Sequence, residues 1–284
     1  MVSIVFGLLT ACFFASSGLL SSRAVKIIGS ASSVAWVMLL GLIITTPFVV
    51  AAGVPANIGP SIPWMVVLGL GNVIGILVAG FALRVGKVGV VAPILATEGA
   101  IAAVIAALLG ESIAPVVGFM LLVIVGGIVI SAIAPDPAPL VNERPLYAVV
   151  LSTLAAACFG VSLFAAGNLS NDVPIPWVLL PARLAGVLII LIPLLVMRKL
   201  QITRSTVPLI VAMAFTEILG FVCFSIGAQY QVAITSVLSS QFAPIAAVAA
   251  YFLFKERLGR FQIAGVVVLV IGVTSLTVAA SAPG

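Results

Sequence analysis

The chain contains no histidine, and charged residues make up only 7% of its 284 residues. Soluble domains carry about 25% charged residues, so this composition excludes an ordinary soluble domain. The lack of histidine excludes a histidine-based metal site or acid–base pair. The three cysteines fall inside apolar runs without CxxC spacing, so we interpret them as packing residues. No GxxxxGK[ST] nucleotide loop is present. We therefore expect neither an enzyme nor a bound metal or cofactor.

Hydrophobic residues make up 63% of the chain and form runs that reach the roughly 20 residues needed to cross a membrane. Backbone groups in lipid must be hydrogen-bonded within their own segment, so these runs predict helices. The expected fold class is an all-α polytopic membrane protein with ten transmembrane helices. The predicted spans are Val2–Ser21, Ser32–Ala52, Ile62–Leu83, Val88–Leu109, Ala114–Ala134, Leu146–Gly167, Ile175–Met197, Val207–Ala228, Val232–Phe254 and Phe261–Ala280.

A proline-rich linker divides the chain into two groups of five predicted helices. We place the first repeat at residues 1–134, the linker at 135–145 and the second repeat at 146–284. Identical residues recur at an offset of 145, without a gap, from the first helix of each half to the last. The matched pairs are Phe14 and Phe159, Ser17 and Ser162, Gly41 and Gly186, Pro63 and Pro208, Gly75 and Gly220, Glu111 and Glu256, and Gly127 and Gly272.

Five is an odd number, so two halves of the same fold must enter the membrane from opposite sides. The lysines and arginines agree, because all except Arg183, which lies inside span 7, follow odd-numbered spans, and the even-numbered loops have none. This pattern predicts two inverted five-helix repeats, an architecture typical of transporters. The positive-inside rule then places the odd-numbered loops in the cytoplasm and both termini outside, in the inner (plasma) membrane. Because the basic residues are dispersed, we expect no nucleic-acid partner.

Both halves end in a segment that resembles the EamA domain of the drug/metabolite transporter superfamily. Each segment has a basic or polar turn, a small-residue helix, a Gly-Glu or Lys-Glu-Arg corner at Glu111 or Glu256, and a glycine-rich last helix. The Phe159–Gly160 pair is similar to the Trp-Gly pair in the first helix of the family. Two features depart from the family. Gly99 stands at the counterpart of its mid-helix proline, Pro244, and the family is usually drawn with cytoplasmic termini.

The resemblance implies a ten-helix transporter of small organic solutes, often an exporter. It also implies a central cavity lined mainly by the first four helices of each half. We expect secondary transport by alternating access around that cavity. The expected partners are a small-molecule substrate, the lipid bilayer and a coupling proton, and the chain is expected to be a monomer or homodimer.

Three ionisable residues lie at depth in the predicted spans, namely Glu98 in span 4, Arg183 in span 7 and Glu217 in span 8. A charge at the centre of a membrane helix costs roughly 2.5–3.5 kcal/mol on insertion scales, so each must face the bundle interior or water. Arg183 can form a fixed ion pair with Glu217 or Glu98. Alternatively, Arg183 binds a substrate carboxylate while a glutamate binds an ammonium group, or one glutamate carries a proton.

Other polar and aromatic residues extend this set. Asn72, the repeat partner of Glu217, and Gln241 in span 9 either line a shared cavity or form interhelical hydrogen bonds. Four aromatic residues have two interpretations: they form an aromatic wall that binds an amine, or they pack in the core or at the membrane interface. These residues are Phe221, Phe224, Tyr230 and Tyr251. We expect helix caps at spans 5 and 10 from Glu111 and Glu256, and a solvated loop at Asn168 and Asp172.

One deep cation and two deep anions favour amino acids or related amine-bearing solutes as the exported substrates. Nucleobases, sugars and cationic drugs are the alternative substrate classes. A sensor or channel without carrier activity is the alternative to a transporter. The site residues predicted from the sequence are Glu98, Glu217, Arg183, Asn72 and Gln241.

Overall fold

The computed structural model describes residues 1–56, 58–86, 91, 94–132, 144–242, 244–246, 248–249 and seven positions between 263 and 275. All regular secondary structure in these residues is helical. A π-helical turn, Val187–Leu191, joins α7 (Ile175–Gly186) to α8 (Ile192–Val196). The helices are α1 (Val2–Ile28), α2 (Ser30–Ala52), α3 (Ile58–Val85), α4 (Glu98–Leu108), α5 (Pro115–Ala132), α6 (Pro145–Asp172), α7 (Ile175–Gly186), α8 (Ile192–Val196), α9 (Val207–Ala228) and α10 (Val232–Ser239).

Six segments of the described chain are long and apolar enough to cross a membrane. The chain is therefore a multi-pass helical membrane protein, as predicted. The tenth predicted span, Phe261–Ala280, lies mostly outside the described residues, and the count of ten membrane helices stays a prediction. The six segments are α1, α2, α3, Leu146–Asp172 of α6, the α7–α8 segment Ile175–Val196, and α9. The remaining apolar helices α4, α5 and α10 are outside this set of six.

The first helix extends beyond its predicted end. α1 continues to Ile28, so Arg23 and Lys26 lie in its last turns rather than in the loop that the sequence predicts. Basic side chains are favoured near a helix C-terminus, which explains why the helix tolerates them. The helix stops at Gly29, whose φ of 78° is a left-handed value that suits glycine.

The sixth helix also outruns its prediction and continues to Asp172. Asn168 and Asp172 are therefore helical, and the expectation of a solvated loop at these two residues was wrong. The side chains between them explain the extension, because Leu169 and Ser170 are both buried against neighbouring helices. Tertiary packing thus continues a helix through residues that are common in loops.

α2 and the α7–α8 segment run antiparallel along each other. Near the start of α2, the indole N–H of Trp36 donates to the carbonyl of Gln201, just beyond the segment, at 2.9 Å. At the end of α2, the indole N–H of Trp177 donates to the carbonyl of Gly53 at 2.8 Å. α2 and α7 occupy the same place in the two halves, so equivalent helices run in opposite directions. This is the inverted relation that the basic residues predict.

The other helices repeat the same packing in both halves. α3 lies along α6, and its repeat equivalent α9 lies along α1. α4 packs against α6 and α10 packs against α1, while α4 and α10 also pack against each other. One hydrophobic core draws on both halves, with Leu68 and Ile124 buried from the first half and Leu169, Phe224 and Leu238 from the second. The two repeats therefore form one bundle, with α1, α3, α6 and α9 facing a shared interior.

The predicted spans 4 and 9 are interrupted near their middles. α4 begins only at Glu98, after a turn at residues 96–97, and α10 ends at Ser239, before a turn at residues 240–241. At the offset of 145 residues these two turns fall within one position of each other. The sequence predicts both Glu98 and Gln241 inside continuous helices, and the structure corrects this: one starts a helix and the other lies in a turn.

Glu111 caps α10 rather than the helix that follows it in the chain. Its carboxylate accepts the backbone N–H groups of Val232 and Ala233, at 3.1 Å each. The first N–H groups of a helix have no partner within the helix, so a carboxylate is favoured there. Glu111 therefore caps a helix, but the prediction that it caps span 5 was wrong. Its hydrogen bonds link the first half of the protein to the second. Glu256 lies outside the described residues.

Candidate substrate-binding site

A cavity of about 230 Å³ lies between helices of both halves. Its wall is formed by α1, α3, α4, α6 and α9, and by Phe242 beyond α10. Two carboxyl groups, an amide and two hydroxyl groups share this wall with four phenylalanine rings. The lining residues are Phe14, Ser17, Gly18, Asn72, Glu98, Phe159, Ser162, Leu163, Glu217, Phe221 and Phe242.

Eight of the lining residues form four repeat-related pairs at the offset of 145 residues. Because each half contributes one member of every pair, the cavity lies where equivalent parts of the two halves face each other. Two pairs are chemically identical and two are not. The identical pairs are Phe14 with Phe159 and Ser17 with Ser162, and the different pairs are Gly18 with Leu163 and Asn72 with Glu217.

The paired phenylalanines make equivalent contacts in the two halves. A Cβ added at Gly220 would lie 2.6 Å from the Phe14 ring, and a Cβ added at Gly75 would lie 2.6 Å from the Phe159 ring. Each ring thus fills the space that a glycine leaves on the neighbouring helix. Glycine is required at both positions because any larger residue would displace a ring that lines the cavity.

Arg183 has only 1% of its side chain exposed, and it is paired with Glu217. Its Nη1 donates to Oε1 of Glu217 at 2.5 Å, and its guanidinium carbon lies 5.2 Å from the centre of the Phe221 ring. Of the two partners that the sequence allows for Arg183, the structure selects Glu217 and not Glu98. Glu217 is 20% exposed and lines the cavity, so the cation lies behind the carboxylate.

The guanidinium lies where α2 crosses α7. Its Nη1 is 3.5 Å from the Sδ of Met38, which is its own repeat equivalent. A Cβ added at Gly41 would lie 2.8 Å from the Arg183 side chain, and one added at Gly186 would lie 2.5 Å from Met38. Equivalent glycines therefore make room for two different side chains, a cation in the second half and a thioether in the first.

Glu98 presents its carboxyl group to the cavity from the first position of α4. Among the described residues this carboxyl has no hydrogen-bond or ion-pair partner. The unpaired N–H groups at a helix N-terminus favour a negative charge nearby, which explains how the position tolerates a glutamate. The two carboxyl groups of the cavity therefore differ, because Glu217 has a buried counter-ion and Glu98 has none in the described chain.

Asn72 and Gln241 lie in different environments. Asn72 lines the cavity from α3, and its buried Oδ1 has no hydrogen-bond partner within the described residues. Gln241 is 4% exposed, and it does not belong to the cavity wall. Its Nε2 is likewise unpartnered in the described part of the chain. The structure thus brings Glu98, Glu217 and Asn72 together around one space, with Arg183 behind Glu217 and Gln241 elsewhere.

One of the four residues proposed for an aromatic wall lines the cavity. Phe221 does so, whereas Phe224 is fully buried in the core and Tyr230 is 65% exposed. Tyr251 lies outside the described residues. Phe224 is therefore a core residue, and Tyr230 agrees with the interpretation as an interface residue. The other rings of the wall are Phe14, Phe159 and Phe242.

Several cavity residues escape prediction from the sequence. Phe14 and Phe159 are recognisable only as a repeat pair, although identity at this place in both first helices is itself a signal for a surface shared by the halves. Nothing in the sequence marks Gly18 or Phe242. Helical periodicity in a chain that is apolar on every face does not indicate which face meets the other half.

The sequence profile of the EamA-like transporter family matches the chain twice, over residues 1–133 and 146–278. The chain belongs to the EamA-like transporter family. The two matches begin 145 residues apart, which is the offset that relates the paired residues of the cavity. This EamA-like protein is thus a membrane transporter of the drug/metabolite transporter superfamily, with the two-repeat architecture of that family. Members of the family are transporters and generally not enzymes.

A solved crystal structure shares the fold along almost the whole EamA-like chain. The TM-score is 0.81 at 18% sequence identity, and the match covers 98% of this chain and 97% of the other. At this level of identity the likeness shows the fold alone. No curated protein sequence matches the chain.

Proposed function

We propose that this protein is a secondary transporter that moves a small amine-bearing solute, amino acids included, by alternating access through the central cavity. The observation that carries the proposal is the carboxyl of Glu98, unpaired in the described chain, in a wall with four phenylalanine rings. A carboxylate shielded from water needs a cation or a proton. The faces of aromatic rings also attract cations. An ammonium group satisfies both parts of this wall.

Arg183 supports recognition of an amine rather than of a carboxylate. Its guanidinium is not part of the cavity wall and is already bonded to Glu217. A substrate carboxylate that took this place would leave Glu217 as a charge without its partner, which is costly away from water. The ion pair therefore links α7 to α9 and holds the Glu217 side chain at the edge of the cavity.

A proton is the coupling ion in this proposal. Glu98 binds either an ammonium group or a proton, so each change of occupant accompanies one passage of the cavity across the membrane. A proton gradient directed into the cytoplasm then drives export of the amine. The inverted halves supply the geometry, since rocking one half against the other around the shared cavity opens it to each side in turn. The basic residues support a cytoplasmic position for the odd-numbered loops of a protein in the inner (plasma) membrane.

Counterflow in proteoliposomes tests the proposal. Vesicles are loaded with an unlabelled amine, amino acid, nucleobase or sugar, and the entry of the same labelled solute is followed. We expect accelerated entry for amine-bearing solutes. Glu98→Gln removes the charge and keeps the shape, so it should weaken this counterflow by about 10- to 100-fold, the range of one lost charge-assisted hydrogen bond.

Glu111→Gln is the matched control, because it makes the same substitution at a carboxyl outside the cavity and should retain counterflow. Wild-type amine counterflow in Glu98→Gln would remove Glu98 from the site. Counterflow with nucleobases or sugars alone would keep the carrier and discard the amine. Flux without saturation or counterflow would indicate a channel, and binding without flux would indicate a sensor.

A further inference from the structure

The cavity is unequal on its two sides at the pair formed by Gly18 and Leu163. Gly18 lines the cavity from α1, and a Cβ added there would meet no heavy atom of the described residues within 4 Å. Leu163 occupies the equivalent position on α6, with 7% of its side chain exposed, and packs into the core. Open space therefore lies beside α1, and an aliphatic side chain fills the corresponding space beside α6.

The open side also carries an aromatic pair that has no counterpart on the other side among the described residues. The rings of Phe14 and Phe221 meet edge to face, with their centres 5.2 Å apart, and both line the cavity. The repeat equivalent of Phe221 is Ile76, which does not belong to the wall. Phe159 therefore lines the cavity without such a partner in the described part of the chain. We call the space bounded by Gly18, Phe14 and Phe221 the α1 corner.

We propose that the α1 corner holds the apolar tail of the transported amine while its ammonium group binds at Glu98. The substrate class is then a primary amine with a short alkyl or aryl tail. This inference rests on the proposed function, and it adds the orientation and the size of the solute. The cavity, at about 230 Å³, is smaller than the roughly 300–1,000 Å³ typical of drug-sized ligands, which favours a compact solute.

The test is competition of amines of increasing tail length in the counterflow assay. The wild-type protein takes up the labelled amine of the counterflow assay in the presence of one unlabelled competitor. The competitors are ethylamine, propylamine, butylamine, pentylamine and phenethylamine. Each methylene buried in an apolar site raises affinity about fourfold, so the inhibitory concentration should fall stepwise with tail length until the corner is full. The compact ammonium group is the same in every compound, so this trend reports on the tail alone.

Gly18→Leu gives the first half the residue that the second half has at the equivalent position, and it fills the α1 corner. We expect it to reduce the preference for phenethylamine over ethylamine by at least about tenfold, the loss of roughly two buried methylenes. Gly18→Ala should give an intermediate loss and serves as the second variant if the leucine variant does not fold. Gly80→Leu is the control, because it adds the same side chain on a helix at a glycine that also has open space and lies outside the cavity wall.

Two results would overturn the α1 corner while leaving the proposed function intact. The first is an inhibitory concentration that does not change with tail length in the wild-type protein. The second is a Gly18→Leu protein that binds every amine more weakly by the same factor, which would indicate a general obstruction of the cavity. Failure of all the amines to compete would instead overturn the proposed function and the corner together.

Discussion

The two halves of the protein form the same frame of packed helices around the cavity and place different side chains at equivalent positions in it. In the second half, Arg183 and Glu217 form an ion pair with 2.5 Å between their atoms. In the first half, the equivalent positions hold Met38 and Asn72, neither of which is charged. Both sets of side chains meet at one place, since Met38 and Arg183 are in contact where α2 crosses α7.

This difference shows that the frame and the charges are specified by different residues. Small residues let membrane helices approach closely, and equivalent glycines do so in both halves. A second ion pair at the same crossing would place another cation against Arg183, and repulsion between like charges is strong where water is excluded. One half therefore carries the charges, and the other carries neutral residues at the same places.

Making the second half resemble the first is expected to change stability most. Glu217→Asn alone leaves the buried cation of Arg183 without its partner and should lower the free energy of unfolding by about 3–5 kcal/mol. Combining Arg183→Met with Glu217→Asn reproduces the pair of the first half, and it should recover most of this loss. Denaturant unfolding of the purified protein in detergent measures both free energies.

Arg183→Met alone is the third corner of this double-mutant cycle. It should cost less than Glu217→Asn alone, because the Glu217 side chain that loses its partner is 20% exposed, whereas the Arg183 side chain is 1% exposed. A loss in the double variant equal to the sum of the two single losses would show that the two side chains are not coupled.

The paired glycines test whether the frame itself is equivalent in the two halves. Gly75→Ala and Gly220→Ala each place a Cβ 2.6 Å from a phenylalanine ring, so each should cost about 1–3 kcal/mol through overpacking. Since the contacts match, the two losses in unfolding free energy should agree within about 0.5 kcal/mol. A loss at only one position would show that the packing of the halves differs. Gly80→Ala, with open space around it, is the control.

The smallest of these effects concerns Glu111, which joins the halves through the N-terminus of α10. Glu111→Ala removes the cap and should cost about 0.5–2 kcal/mol, and Glu111→Gln, which keeps an acceptor oxygen, should cost less. Thermal unfolding in detergent at constant pH gives both values. A cost for Glu111→Gln equal to that for Glu111→Ala would contradict the cap.

The same residue gives the cap a pH dependence. Burial raises the pKa of Glu111 above its usual 4.5 and outweighs the two backbone hydrogen bonds, which lower it. A raised pKa means that the folded protein holds the proton more tightly than the unfolded chain does, so this contribution is full below about pH 4.5 and is lost as the pH rises through the folded pKa. The unfolding temperature of the wild type should therefore fall relative to Glu111→Gln over this range, and a constant difference would contradict the shift.

Much of the architecture follows from the sequence because the membrane leaves few alternatives. Long apolar runs must be helical, since lipid offers no partner to an open backbone. Gap-free identity at one offset, together with basic residues that change sides between the halves, indicates an inverted repeat. A charge at depth must face the bundle interior or water, so the residue type and position of Arg183 already indicate a polar environment within the bundle.

Tertiary structure decided which of the possible contacts form. Glu98 and Glu217 both lie at a depth that suits Arg183, and only the packing of α7 against α9 pairs the arginine with Glu217 and leaves Glu98 to the cavity. The carboxylate of Glu111 likewise bonds to Val232, far away in the chain, and not to the helix that follows it. In each case the sequence determined which groups needed a partner. The partner depended on which helix faces meet, and a helix that is apolar on all sides does not mark that face in its own sequence.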